Sequence, residues 1–193
     1  MNSLFNSINT PEELLDFMEK NIHYGFITND NEVYTDPTSD KWSDNWYKRG
    51  VVQTGDNLLK TLHGTCWDQV ELERKWFDEH NYNSKSYFFY FDLDYENSTS
   101  THTVLIYENN NKYYLFENAW DGVEGITEFD SYIDAIKCVK DRLFEYNLEI
   151  NPEYNLKYSD LLVYEYDKLD TNMTVQDYLN YVVNEEKEVK INK

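Results

Sequence analysis

Three residues of this 193-residue chain have the types and spacing to cleave or transfer an amide through a sulfur nucleophile. Cys66 stands in Gly64-Thr65-Cys66-Trp67-Asp68-Gln69, where a glycine and a cap-type threonine precede a helical pattern running to about Glu79. A thiol at a helix N-terminus meets unpaired backbone N–H groups and the positive end of the helix dipole, and both favour thiolate over thiol. A neighbouring N–H of the same turn can hold the oxyanion of a tetrahedral intermediate. Taken alone, Cys66 reads first as a buried thiol opening a core helix, and the Asp68 carboxylate opposes a thiolate.

His102 and Glu117 change that balance. They flank a predicted hairpin with strands at 102–107 and 112–119, joined by Glu108-Asn109-Asn110-Asn111. A loop centred between Asn109 and Asn110 sets His102 directly opposite Glu117. Both side chains then share a sheet face with Val104, Ile106, Leu115 and Tyr113, at the end of an apolar stripe. A carboxylate accepting one imidazole N–H fixes the tautomer and leaves the other ring nitrogen for the thiol. Without Cys66 the pair would read as a surface salt bridge at a hairpin end.

The remaining elements must position these groups. Thr10-Pro11-Glu12-Glu13 opens a helix through about Asn21, with Leu14, Leu15, Phe17 and Met18 on its apolar side. Residues 24–47 read as an irregular surface segment with a short strand near Phe26 or Val33, pinned by Trp42, Trp46 and Tyr47. A short helix is expected at 54–62, a buried strand at 86–93 and a polar connection at 94–101. An amphipathic helix follows at 131–146, with Cys138 packed as a small hydrophobe, then a strand at 161–166 and a helix at 174–183. Residues 1–184 read as one domain, with 185–193 a charged, frayed tail.

In order and spacing the motifs resemble those of the transglutaminase-like superfamily, small bacterial type: a Gly-x-Cys-Trp helix start, a His heading a strand, and an acid ending the next strand. The resemblance runs over residues 54–129, through Gly64 to Trp67, His102-Thr103-Val104 and Phe116-Glu117-Asn118-Ala119-Trp120. It implies an α+β, papain-like core in which a nucleophile helix packs on an antiparallel sheet. It also implies Cys66 as nucleophile, His102 as base and Glu117 as the orienting acid. The family usually has Asp at that last position, and the adjacent Asn118 leaves a papain-type Asn orienter open, although strand alternation sends the two side chains to opposite faces. Gln53 is a candidate oxyanion donor, and Trp67 and Trp120 are candidate cleft walls. His63 is an alternative base that lacks an orienting acid; His23 and His80 have no evident partner.

Thirty-seven acids against 17 Lys and Arg give a formal charge of -20, which opposes a nucleic-acid phosphate backbone and suits a basic protein or peptide. Eighteen Tyr, 10 Phe and 5 Trp supply apolar area for a core despite the polar composition. The N-terminal acids, with no long apolar run anywhere, predict a cytoplasmic protein without a signal peptide or membrane span. Two cysteines are too few for a disulfide framework. The sequence contains no phosphate loop, paired CxxC or HExxH, so no cofactor or metal is expected. Abundant Asn and the preference for Lys over Arg point to a low-GC bacterium or its mobile elements. The expected activity is a cysteine-dependent amide hydrolase, protease or amidase, ahead of acyl transfer. The alternative is an acidic binding or inhibitor protein on the same fold.

Overall fold

Apolar alternation along the central strands sends two sets of rings to opposite faces of one antiparallel sheet, and this decides where the helices pack. In the computed structural model, which describes residues 2–91, 100–184 and 187–191, the chain runs through α1 (Asn2–Phe5), α2 (Pro11–Asn21), β1 (His23–Tyr24), β2 (Phe26–Thr28), β3 (Val33–Tyr34), α3 (Asp40–Arg49), β4 (Gly50–Val52), α4 (Gly55–Thr61), β5 (His63–Gly64) and α5 (Cys66–Glu79). It continues through β6 (Asn83–Phe91), β7 (His102–Asn109), β8 (Lys112–Glu117), β9 (Gly125–Phe129), α6 (Tyr132–Ile150), β10 (Leu161–Tyr166), β11 (Met173–Thr174) and α7 (Val175–Val182).

The main sheet has the order β10-β6-β7-β8-β9, antiparallel throughout. Phe88, Leu105, Tyr107 and Phe116 point to one face and join Trp67, Val70, Trp76 and Phe77 of α5 in a single core. Tyr87, Phe89, Val104, Ile106 and Leu115 point to the other, against Ala135, Ile136, Val139 and Leu143 of α6. Each large side chain so buried contributes about 1.5–3 kcal/mol, which makes these two interfaces the main source of stability. A smaller sheet, β11-β4-β2-β3, lies with α3 and α7, and β1 and β5 form a short parallel pair.

Residues beyond Asn151 are joined to this core. The β10 strand pairs with β6 over its whole length. Arg74 of α5 donates to the Tyr166 carbonyl at 3.1 Å and lies over the Tyr166 ring, while Glu71 accepts from the Leu169 N–H at 3.0 Å. Two buried charged residues of α5 thus take up backbone groups of the C-terminal segment that would otherwise lose their hydrogen bonds.

Several expectations are corrected. Residues 24–47 carry short strands where one was expected, β2 at Phe26 and β3 at Val33, but they also hold most of α3 in place of an irregular segment, its start capped by Ser39 accepting from the Trp42 N–H. Trp42 and Trp46 pack into the core, whereas Tyr47 remains exposed. The hairpin turn is Asn110-Asn111, both with positive φ (52° and 59°), so Asn109 faces Lys112 and the register slides by two from the expected one. The strand β9 and the small-sheet strands β4 and β11 had no distinct sequence signal. The tail is docked where it is described: Glu188 bridges Tyr164, and the Val189 N–H donates to the Val163 carbonyl at 2.8 Å. The cause is that β10 is an edge strand, with backbone groups free to pair with a further segment. The expected polar connection at 94–101 and the last two residues of the expected strand at 86–93 fall largely outside the described residues. No helix among the described residues is long and apolar enough to cross a membrane.

Candidate active site

Cys66 is the first residue of α5, and its position is set by the chain just before it. The parallel pairing of β1 with β5 aligns Tyr24 with Gly64. Gly64 is there because a Cβ would meet Asp68 Cβ at 2.7 Å and Leu58 Cδ1 at 2.8 Å. The helix start leaves the Cys66 and Trp67 N–H groups without intrahelical carbonyls. Asp68 is turned back onto its own cap: it accepts from the Thr65 N–H (2.7 Å), the Thr65 hydroxyl (2.8 Å) and the Gln53 N–H (2.7 Å). Complete burial outweighs these donors and raises its carboxyl to about 7, so near neutrality it is partly uncharged and its opposition to a thiolate is reduced.

His102 opens β7 and Glu117 ends β8. The register places them diagonally and not directly opposite, but a slip of two keeps both on one face. His102 Nε2 donates to Glu117 Oε2 at 2.6 Å, and Glu117 Oε1 accepts from the N–H groups of Ala119 (2.9 Å) and Trp120 (3.0 Å). That leaves Nδ1 as the ring nitrogen free for Cys66, which lines the same cleft. Burial pushes the imidazole pKa down, but the Glu117 charge and the hydrogen bonds to Cys66 and Glu117 outweigh it and raise the value to about 10. Two further contacts hold β7 at the helix start. Trp67 Nε1 donates to Thr101 Oγ1 at 3.2 Å, and Asn147 of α6 accepts from the Ser100 N–H at 2.8 Å.

Cys66, His102 and Trp120 line one cleft of about 1330 Å³. A family model described as a transglutaminase-like domain matches residues 3–151. The chain belongs to the transglutaminase-like domain family. No curated protein matches it. The mixed helix and antiparallel sheet, with α5 packed on the sheet, is the α+β core that the family implies, and the matched span includes Cys66, His102 and Glu117.

Within this transglutaminase-like domain the other candidates divide. Trp120 is a cleft wall, its ring 4.9 Å from that of His102 and 5.8 Å from that of Tyr146. Trp67 is mainly core, stacked on Tyr178 and edge-on to Trp46, with only a margin at the cleft. Asn118 lines the cleft but does not orient His102: its amide donates to Gln69 Oε1 at 2.6 Å, on the α5 side of the sheet. Gln53 is no oxyanion donor in this arrangement. Its amide donates to the His63 carbonyl at 2.7 Å and accepts from Thr61 and Asn57, which ties β4 to β5. His63 donates from Nδ1 to the Thr61 carbonyl, and His80 donates to the Trp76 carbonyl and stacks on that ring, so both serve their own helix ends. Cys138 is a half-buried free thiol on α6. Among the described residues no group of three or more His, Cys, Asp or Glu is placed to hold a metal ion.

Two residues at the site escaped the sequence reading. Tyr24 lines the same cleft as Cys66, with 41% of its surface exposed. Burial foremost, then the Cys66 and Asp68 charges, raise its pKa well above the ordinary value, so it stays a donor. Only the β1–β5 pairing brings it there, and a two-residue strand has no periodicity to detect. Glu73 lies two turns along α5 from Cys66, buried, with Oε2 lacking a hydrogen-bond partner among the described residues. The 66, 69, 73 spacing on one helix face was a legible signal.

Burial first, and then the neighbouring Glu117 charge, raise the Glu73 carboxyl well above its ordinary 4.5. The folded chain therefore keeps a proton that the unfolded chain loses, and stability falls as pH rises above that ordinary value toward the folded one. Glu73→Gln should melt with wild type near pH 4 and about 2–4 °C above it at pH 8, the shift that about 1 kcal/mol gives in a chain of this size. Thermal melts at the two pH values check this; a difference independent of pH would refute the assignment.

Proposed function

We propose that this protein is a cysteine-dependent amide hydrolase, acting on a peptide or glutamine-type amide through a thioester, with acyl transfer to an amine as the variant of the same chemistry. The observation that carries the reading is the His102–Glu117 bond at 2.6 Å, which commits Nε2 and leaves Nδ1 to the thiol at the start of α5. A surface salt bridge has no need of that burial or of a cysteine on its free side.

In this mechanism Cys66 Sγ attacks the carbonyl carbon, and the C–O π pair moves onto oxygen. The oxyanion is held by the N–H groups at the helix start and by the Tyr24 hydroxyl, which stands where Gln53 does not. The C–N bond then breaks as the imidazolium gives its Nδ1 proton to the leaving amine. Neutral Nδ1 next takes a proton from water, the hydroxide oxygen attacks the thioester, and Sγ leaves as thiolate while the imidazolium is restored. Glu117 holds the ring throughout. Hydrolysis is preferred over transfer because it needs no second substrate pocket.

The test is the rate of Cys66 alkylation by iodoacetamide from pH 4 to 9, read by peptide mass spectrometry with Cys138 as internal reference. At pH 6 Cys66 should react roughly 10–100-fold faster in the native protein than in His102→Ala, the gain expected when an imidazolium holds a neighbouring thiol as thiolate. Rates indifferent to His102 would overturn the reading and leave an acidic binding protein on the same fold.

A further inference from the structure

We infer that the cleft takes a cationic side chain, lysine or arginine, of a peptide substrate next to the scissile amide, seated along Trp120 and Tyr146 with Asp121 and Glu124 at its rim. This rests on the reading of Cys66 as nucleophile. Trp120 packs against both His102 and Tyr146, and all three rings lie on the cleft lining, so an aromatic surface adjoins the imidazole. The segment joining β8 to β9 carries Asp121 and Glu124 to the mouth of the same cleft, and Glu19 stands on the lining from α2. No lysine or arginine is among the described residues of that lining, and neither Asp121 nor Glu124 is in an ion pair among the described residues.

An aromatic face attracts a cation by about 0.5–2 kcal/mol, the more so as water is excluded, and carboxylates at the rim add a salt-sensitive field. An acidic group entering the cleft would meet three carboxylates with no lysine or arginine among the described lining residues to compensate them. The His102 imidazolium does not repel the bound cation strongly, because the bonded Glu117 carboxylate offsets its charge. The formal charge of -20 favours cations everywhere on the surface, so the inference requires the cleft to exceed that background.

The two free cysteines allow the comparison within one molecule. The intact protein is labelled with the cationic reagent aminoethyl methanethiosulfonate, the anionic sulfonatoethyl analogue and the neutral methyl analogue, and each thiol is followed by peptide mass spectrometry. The cation-to-anion rate ratio at Cys66 should exceed that at Cys138 by about tenfold or more at low salt, and the excess should shrink in high salt. In Asp121→Asn/Glu124→Gln and in Trp120→Leu the excess should fall, in the first pair without loss of the neutral-reagent rate. A fast neutral reaction with equal ratios at the two cysteines would overturn the cation site alone. A slow neutral reaction at Cys66, unchanged by His102→Ala, would overturn the nucleophile reading, and the inference with it.

Discussion

Cys66→Ala is expected to lose amide turnover by on the order of 10⁴–10⁶-fold, down to the uncatalysed background, while the fold survives. The substitution removes one sulfur atom from a site where His102 keeps its bond to Glu117 and Asp68 keeps its three donors. The helix cap is therefore intact, and the melting temperature should move by no more than about 2–4 °C, the equivalent of about 1 kcal/mol. Because nucleophile and base act as a unit, His102→Ala should lose nearly as much, and the double variant little more than either alone. Turnover on a peptide or glutaminyl amide, with circular dichroism of each variant, measures this. Residual turnover in Cys66→Ala comparable to wild type would end the proposal.

Glu117→Gln should reduce kcat by about 10²–10⁴-fold at pH 8 with little change in KM. The substituted Oε1 can still accept from the Ala119 and Trp120 N–H groups. The amide nitrogen then faces His102 Nε2, and two donors cannot share one bond, so the ring must shift its proton to Nδ1 when neutral. That is the wrong tautomer to take a proton on the thiol side. The pH profile gives a second readout. With Glu117 present the imidazolium persists to about 10, against burial, so kcat/KM should hold up through pH 9. Without that charge the basic limb should move to lower pH.

The same pairing contributes to stability. The folded imidazole binds its proton more tightly than the unfolded one, whose value is 6.5, so the pair's contribution is fully present below about 6.5 and is lost as pH rises through about 10. Glu117→Gln should flatten that part of the melting curve. An unaltered pH dependence of both activity and melting would show that Glu117 does not hold His102. Asn118, bonded to Gln69, offers the contrast: its replacement should leave the basic limb where it is.

How much of this was legible before folding varies with the range of the interaction. The start of α5 at Cys66 was legible because a glycine, a cap residue and an amphipathic run are local signals. Thr10 likewise announced α2, and it accepts from the Glu13 N–H three residues on. The hairpin was legible as a hairpin, but its register depended on which two of the three asparagines took positive φ, a choice the sequence does not encode locally. A slip of two preserved the face, so His102 and Glu117 still met.

The helix α3 was missed because Ser39-Asp40 and the Trp42–Trp46 spacing sat inside a stretch whose Asn, Asp and Pro content resembled a loop. Its tertiary reward, Trp46 against Trp67 and Phe26, is nonlocal. The fate of Gln53 and the placement of Tyr24 also depended on β1 meeting β5, forty residues apart in the chain. The sequence by itself put Cys66 at a helix start and His102 and Glu117 on one face of a hairpin, because capping, periodicity and hairpin parity are short-range. The α+β class followed from the family resemblance that those motifs carry. Only the tertiary structure decided that His102 meets Glu117 through Nε2, that Tyr24 and not Gln53 lies on the cleft with Cys66, and that Trp120 packs against both His102 and Tyr146 on that lining, because each requires segments distant in sequence to pack together.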